Sequence, residues 1–143
     1  MKLLGVDYGT RRLGLALTDP AGTLAFPYKI IYVQDREQVL AEILAIIEQE
    51  GIEALVVGVP LGPEGPAASR AEEPLVARQA RNFGERLGRR SGLPVQFVDE
   101  RLSSYEAEDR LREAGLHGKA LRQALDKHAA AVILETYLQG RQT

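Results

Sequence analysis

Cysteine is absent from the chain, which excludes disulfides, thiolate zinc sites and cysteine nucleophiles. No apolar stretch approaches the roughly 20 residues that a membrane-spanning helix needs. The N-terminus has no basic segment followed by a long apolar core and a small-residue cleavage site, so no signal peptide is expected. Charge of one sign is lacking as well: 18 Lys and Arg face 20 Asp and Glu, a net −2 that does not by itself advertise nucleic-acid binding. There is one methionine, and Asn82 is the sole asparagine, a scarcity that a thermophile or a high-GC genome would each produce. These absences leave a cytoplasmic enzyme, with no membrane partner, as the natural expectation.

What is present is an ordinary globular composition. With 45% hydrophobic residues in 143, the chain has enough apolar surface for one domain spanning residues 1–143. Positive charge is local: residues 70–90 hold six Arg against three Glu, and Arg11, Arg12 and Arg101 flank acidic residues. A neutral protein can hold phosphate on such a basic rim. The arginines of 70–90 alternate with Glu and read as a solvated helix face.

Residues 2–7, 12–18 and about 23–33 read as strands, punctuated by Gly9-Thr10 and Pro20-Ala21-Gly22. Gaps this short favour an antiparallel meander. The period then changes: Val39, Leu40, Ile43, Leu44 and Ile47 form a helical stripe, with Asp35 as N-cap and Gly51 as stop. Residues 54–59 are a short apolar run of the kind that forms a buried parallel strand. Residues 60–74 are rich in Gly, Pro, Ala and Ser and read as a mobile loop beside the site, able to clamp a single strand or to act as a dimer arm. Pro74 suits the first turn of the following helix, which carries Val76, Ala80, Phe83 and Leu87 and stops at Ser91-Gly92. Residues 95–98 make another buried strand. Ser103 and Glu106 form a capping box for a helix through about Ala114, and the last helix spans about 124–139. The order predicts a five-stranded mixed α/β sheet with its first three strands antiparallel and helices on both faces.

Three acids stand at element ends: Asp7 after Leu3-Leu4-Gly5-Val6, Glu100 after residues 95–98, and Asp126 near the start of the last helix. Such an acid is commonly only a solvated cap. Three that a fold gathers on one sheet edge suit metal-dependent phosphodiester chemistry, in which two Mg²⁺ or Mn²⁺ ions about 4 Å apart stabilise the attacking and leaving oxygens. Such ions prefer carboxylate oxygens. Asp7, on a central strand, would bridge; Asp126 shares a helical stripe with Ala129, Ala130, Ile133 and Tyr137 and would point to the sheet edge. Glu100 has a competitor in Asp99, which strand alternation sends to the other side. Gathered carboxylates repel, so at least one is expected to have a raised pKa without metal.

Gly5-Val6-Asp7-Tyr8-Gly9-Thr10-Arg11-Arg12-Leu13-Gly14-Leu15-Ala16 resembles the opening motif of the YqgF family, relatives of the RuvC junction resolvases. Gly58-Val59-Pro60 with Gly62 and Gly65 is similar to the family's second motif. Val98-Asp99-Glu100-Arg101-Leu102-Ser103-Ser104 resembles its Asp-Glu-Arg-x-Ser-Thr motif, with Ser104 in place of Thr. Asp126 followed by Ala129-Ala130 and Ile133-Leu134 resembles its final helix. The resemblance spans nearly the whole chain. It implies a ribonuclease H-like fold with Asp7, Glu100 and Asp126 as the catalytic, metal-holding acids, and a nucleic-acid substrate. Arg12, Arg101 and Ser104 fall in these motifs as candidates for binding that nucleic acid. Lys127-His128 departs from the pattern, and no fourth acid is evident; His128 reads as a surface or hinge residue in preference to a ligand.

The resemblance implies one of two roles: maturation of the 5′ end of the 16S ribosomal RNA precursor, with ribosomal precursor particles as partners, or resolution of branched DNA at a Holliday junction. A resolvase cuts two symmetric strands and favours a two-fold dimer. No heptad seam or long exposed apolar stripe is present, which favours a monomer or weak homodimer and so RNA processing. Two other classes are compatible with parts of the chain. Asp7-Tyr8-Gly9-Thr10 also resembles the phosphate motif of the actin, Hsp70 and sugar kinase superfamily, although no second phosphate loop follows. A non-catalytic ribosome-assembly factor would keep the same fold.

Overall fold

The computed structural model describes residues 1–61 and 69–141, with side chains for all of these except 101–107 and 141. In chain order the elements are β1 (Leu3–Asp7), β2 (Arg12–Thr18), β3 (Ala25–Tyr32), α1 (Arg36–Glu50), β4 (Ala54–Val59), a single 3-10 turn (Arg70–Glu72), α2 (Leu75–Ser91), β5 (Val95–Asp99), α3 (Glu100–Glu113) and α4 (Gly118–Arg141). The strands form one mixed sheet in the order β3-β2-β1-β4-β5. The first three are antiparallel neighbours, whereas β1–β4 and β4–β5 are parallel. The expected β1–β4 pairing runs from Leu3↔Ala54 to Asp7↔Gly58.

Alternation sorts the strand residues onto two faces of different character. One face carries large side chains: Leu4, Val6, Leu13, Leu15, Leu55 and Val57 pack beneath α1 (Leu40, Ile43, Ile47) and α2 (Ala80, Phe83, Leu87). The other carries Leu3, Ala16, Ala54 and Val56 beneath Ala130, Ile133 and Leu134 of α4. Small residues on this second face let α4 lie close to the sheet. A Cβ at Gly5 would stand 2.6 Å from Leu134 Cγ and 3.0 Å from the Ala130 carbonyl oxygen.

Local signals set most boundaries. The Asp35 carboxylate accepts from the Glu37 N–H at 3.0 Å and starts α1, and Gly51 ends it at φ 66°, a left-handed conformation suited to glycine. Two helices begin earlier than the sequence suggests. α3 starts at Glu100, directly after Asp99 with no intervening loop, and not at Ser103. α4 starts at Gly118, not near 124, because Leu121 is buried and anchors the first turn despite the glycine and the basic residues around it. The two helices are joined by a tight turn. The N–H groups of Gly115 (φ 93°) and Leu116 donate to the carbonyls of Arg112 and Leu111, satisfying the end of α3. Residues 62–68, the centre of the expected mobile loop, lie outside the described residues.

The arginines of 70–90 are largely paired with acids, as a solvated face would be. Arg70 makes a two-pronged contact with Glu85, Arg81 another with Glu73, and both Arg86 and Arg90 reach Glu37 of α1. No helix among the described residues is long and apolar enough to cross a membrane.

Candidate active site

Asp7 is the last residue of β1, and its lateral partners are Gly14 on β2 and Gly58 on β4. Paired residues on neighbouring strands share a face. The Asp7 side chain therefore stands on the α4 face between two residues that have no side chain of their own. A Cβ at Gly14 would lie 3.6 Å from Asp7 Cβ, and one at Gly58 would lie 3.7 Å from Glu100 Cδ. Gly14 leaves room beside the carboxylate, while the absence of a side chain at Gly58 lets Ile133 of α4 come in close, its Cδ1 2.4 Å from where a Cβ would stand.

Glu100 comes in on the same face from the β5 edge of the sheet. β5 places Asp99 opposite Val59, and α3 begins at the next residue. The turn from strand into helix brings Glu100, not Asp99, against Asp7. The carboxyl groups of Asp7 and Glu100 are hydrogen-bonded to each other, a bond that favours the ionised form of Asp7 and the protonated form of Glu100. Both carboxyls are pushed up. For Asp7 the first cause is burial, reinforced by the charge of Asp126 and opposed by the Glu100 hydrogen bond and by Arg12. For Glu100 burial again leads, followed by the hydrogen bond and charge of Asp7 and by the charge of Asp99, which together take it to about 9. Burial thus outweighs the mutual repulsion on which the sequence-based expectation rests.

Asp126 lies on α4 one turn before Ala130 and two before Ile133, which faces it toward the sheet edge. It is more exposed than the other two acids. Its carboxylate accepts from Arg12 Nη1 at 2.9 Å, with both side chains about half open to solvent. A pair this exposed contributes about 0–1 kcal/mol and breaks easily. Asp7, Arg12 and Asp126 line a cavity of about 200 Å³ together with Tyr8, Gly9 and Gly14 of the hairpin and Ile30 of β3.

The three acids are thus gathered at one end of the sheet, but not equally. Asp7 and Glu100 meet, whereas Asp126 stands off on Arg12, and among the described residues no three acids or histidines have the spacing of a metal site. Without a metal, the expected bridging arrangement of all three is not formed among the described residues. The physical reason is that an exposed carboxylate takes the nearest cation, here a guanidinium. Of the candidate phosphate-binding groups, Arg12 is at the cavity, while the side chains of Arg101 and Ser104 lie outside the described residues. His128 does not join the acids; it lines a separate cavity of about 220 Å³ between α3 and α4 with Arg110, Leu111 and Glu135.

The donor set suits a hard divalent cation. Two carboxylates whose ionised forms are disfavoured by burial, with a third within reach of their field beside a cavity that Gly9 and Gly14 line, suit a compact positive charge. Asp7, Glu100 and Asp126 would hold it. Sequence reasoning alone did not show the lateral placement of Gly14 and Gly58, the Arg12–Asp126 pair or the part taken by Ile30. Each depends on strand register or on contacts between residues far apart in the chain.

Comparison with known proteins places this arrangement. The family described as "RuvX: Holliday junction resolvase" matches residues 1–140. A protein of Nitratidesulfovibrio vulgaris (strain DSM 19637 / Miyazaki F) is 50% identical over 138 residues, covering 96% of this chain and 93% of that protein. One of Anaeromyxobacter sp. (strain Fw109-5) is 44% identical over 141 residues, covering 99% and 98%. Both carry the name "Putative pre-16S rRNA nuclease". Among solved structures, Thermus thermophilus RuvC in complex with Holliday junction substrate is similar at a TM-score of 0.59 and 17% identity, covering 98% of this chain and 96% of that one. The fowlpox virus Holliday junction resolvase is similar at 0.54 and 13%, over the whole of both chains. At these identities the structural likeness concerns the fold, which is of the RuvC, ribonuclease H-like kind.

Proposed function

Because the chain belongs to the RuvX family, we propose that it is a divalent-metal-dependent endonuclease acting in the cytoplasm as one domain, and that it trims the 5′ end of the 16S ribosomal RNA precursor. The observation that carries this reading is the hydrogen-bonded pair of half-buried carboxyls, Asp7 at the end of the central strand and Glu100 at the start of α3, with Asp126 near them. In this reading Asp7, Glu100 and Asp126 hold Mg²⁺ or Mn²⁺. A cation held there supplies Lewis-acid polarisation of the scissile phosphoryl group. The chain's own groups do the rest. Asp7 and Glu100 give up their shared proton and present ionised oxygens. Arg12 exchanges its weak surface partner Asp126 for a phosphate oxygen, a two-pronged contact that orients the strand. Gly14 leaves room for the phosphate against the sheet end. Attack by water with the 3′ oxygen leaving gives 5′-phosphate and 3′-hydroxyl ends.

The family description and the RuvC likeness favour a second reading, resolution of four-way DNA junctions. Both substrates can be offered to the purified protein with Mn²⁺: an end-labelled precursor transcript and a labelled four-way junction. The first reading expects cuts in the single-stranded 5′ flank of the transcript, by protein that sediments mostly as monomer at micromolar concentration. Paired nicks at symmetric junction positions by a tight dimer, with the transcript left intact, would give the second reading the substrate.

A further inference from the structure

β3 is an edge strand with three exposed aromatic residues: Phe26, Tyr28 and Tyr32 all show 40% or more of their surface to solvent. Their positions differ. Phe26 pairs with Leu17 and so belongs to the face covered by α1 and α2. Tyr28 sits at the bulge beside Pro27 and Lys29, residues of the sort that keep an edge strand from pairing with another chain. Tyr32 does neither job. It pairs with Arg12, and Ile30, two residues before it, pairs with Gly14 and lines the acidic cavity. Tyr32 therefore lies on the same face of the sheet as Asp7 and at the same end, beside the guanidinium that marks the cavity rim. It is 69% exposed, the highest value among the large apolar and aromatic side chains described, and among the described residues its ring joins no aromatic or cation–π contact.

We propose that Tyr32 is a stacking platform for a base of single-stranded nucleic acid whose backbone runs past Arg12 to the acidic pair. The proposal rests on the nuclease reading above and adds where the strand lies. Arginine for phosphate and an exposed ring for a base is the combination by which single strands are held without sequence preference. Directly paired residues bring their Cβ atoms to about 5 Å, so one nucleotide can touch both Arg12 and Tyr32. Two strand spacings across and two residues along separate Tyr32 from Asp7 by about 12 Å, the length of three to four stacked bases at ~3.4 Å each. The strand would leave the cut site over β2 and cross the sheet edge at β3.

The test is binding of a fluorescein-labelled RNA 20-mer, drawn from the 5′ flank, to the full chain in EDTA, with cleavage of the same RNA in Mn²⁺ measured on the same preparations. Tyr32→Ala is expected to weaken binding about tenfold, within the range of single stacking contacts, while Tyr32→Phe and Tyr32→Trp keep wild-type affinity. The salt dependence of binding should be the same in all four proteins, because no charge is removed. A 2-aminopurine scan should place the quenched base three to four nucleotides from the cut in wild type, and the quench should vanish in Tyr32→Ala. Wild-type affinity and quench in Tyr32→Ala, with cleavage by wild type intact, would overturn the stacking assignment and leave the nuclease reading standing. Wild type that neither binds nor cuts would overturn both. A Tyr32→Ala protein that changes from dimer to monomer with unchanged RNA affinity would show instead that this edge meets a second copy of the chain.

Discussion

Asp7→Asn is expected to reduce cleavage by about three orders of magnitude or more while leaving the fold intact. Its side chain stands between two glycines and hydrogen-bonds Glu100, so it supports the site and not the hydrophobic cores. Asparagine keeps the shape and a hydrogen bond but removes the charge that would hold a cation. Electrostatic stabilisation by such an ion amounts to several kcal/mol, and each ~1.4 kcal/mol is tenfold in rate. Burial already opposes ionisation of this carboxyl, so neutralising it should leave the melting temperature equal to or above that of the metal-free wild type. RNA affinity should be largely retained, since Arg12 remains. Single-turnover cleavage, thermal melting and filter binding on one preparation check the three parts. Wild-type cleavage by this variant, after removal of contaminating nucleases, would refute the mechanism.

The second large effect concerns folding. Gly9→Ala is expected to cost about 3 kcal/mol, at the upper end for overpacking, and to lower the melting temperature by roughly 10 °C. A Cβ at Gly9 would stand 2.1 Å from the Arg12 carbonyl oxygen, which is backbone and cannot rotate away. The hairpin between β1 and β2 would have to open, and it positions Asp7 and Arg12. Gly58→Ala is the informative contrast. Its Cβ would stand 2.4 Å from Ile133 Cδ1, the far end of a flexible side chain, so part of that clash can be relieved by rotation. Calorimetric melting should therefore rank Gly9→Ala well below Gly58→Ala. The reverse order would mean that the hairpin, not the α4 seat, is the part that adapts.

Much of this was legible before any coordinates. The switch from period two to period 3.6, the unbroken run at 54–59 and the glycines after α1 and α2 give the sheet and its helices, because each reflects a local requirement of burial or backbone conformation. The starts of α3 and α4 were less legible. The α3 start is set by chain geometry immediately after β5, and the α4 start by the burial of Leu121, so neither follows from a capping pattern. Asp7 and Glu100 were visible as single acids at element ends, whereas Asp126, expected near the start of the last helix, lies inside α4 because that helix begins at Gly118. The unequal state of the three acids was not visible, since it depends on how far each is withdrawn from water and on Arg12 finding Asp126 across most of the chain. The role proposed for Tyr32 was hidden for a similar reason: an edge aromatic gains meaning only through its register with Arg12.

The most direct test of the central claim, that Asp7 and Glu100 form a cation-holding catalytic pair, is a calorimetric titration of metal-free protein with Mn²⁺ at pH 7 in buffers of different ionisation enthalpy. Glu100 is pushed up to about 9 and carries the proton shared with Asp7 at that pH. A cation that takes both carboxylates must displace the proton, so about one proton per site should be released. Mn²⁺ affinity should rise with pH and level off as the pH passes the raised value of the pair. Glu100→Gln, which has no such proton, should lose both the release and most of the affinity. Mn²⁺ binding with no proton release, or equal binding by wild type and Glu100→Gln, would contradict the account.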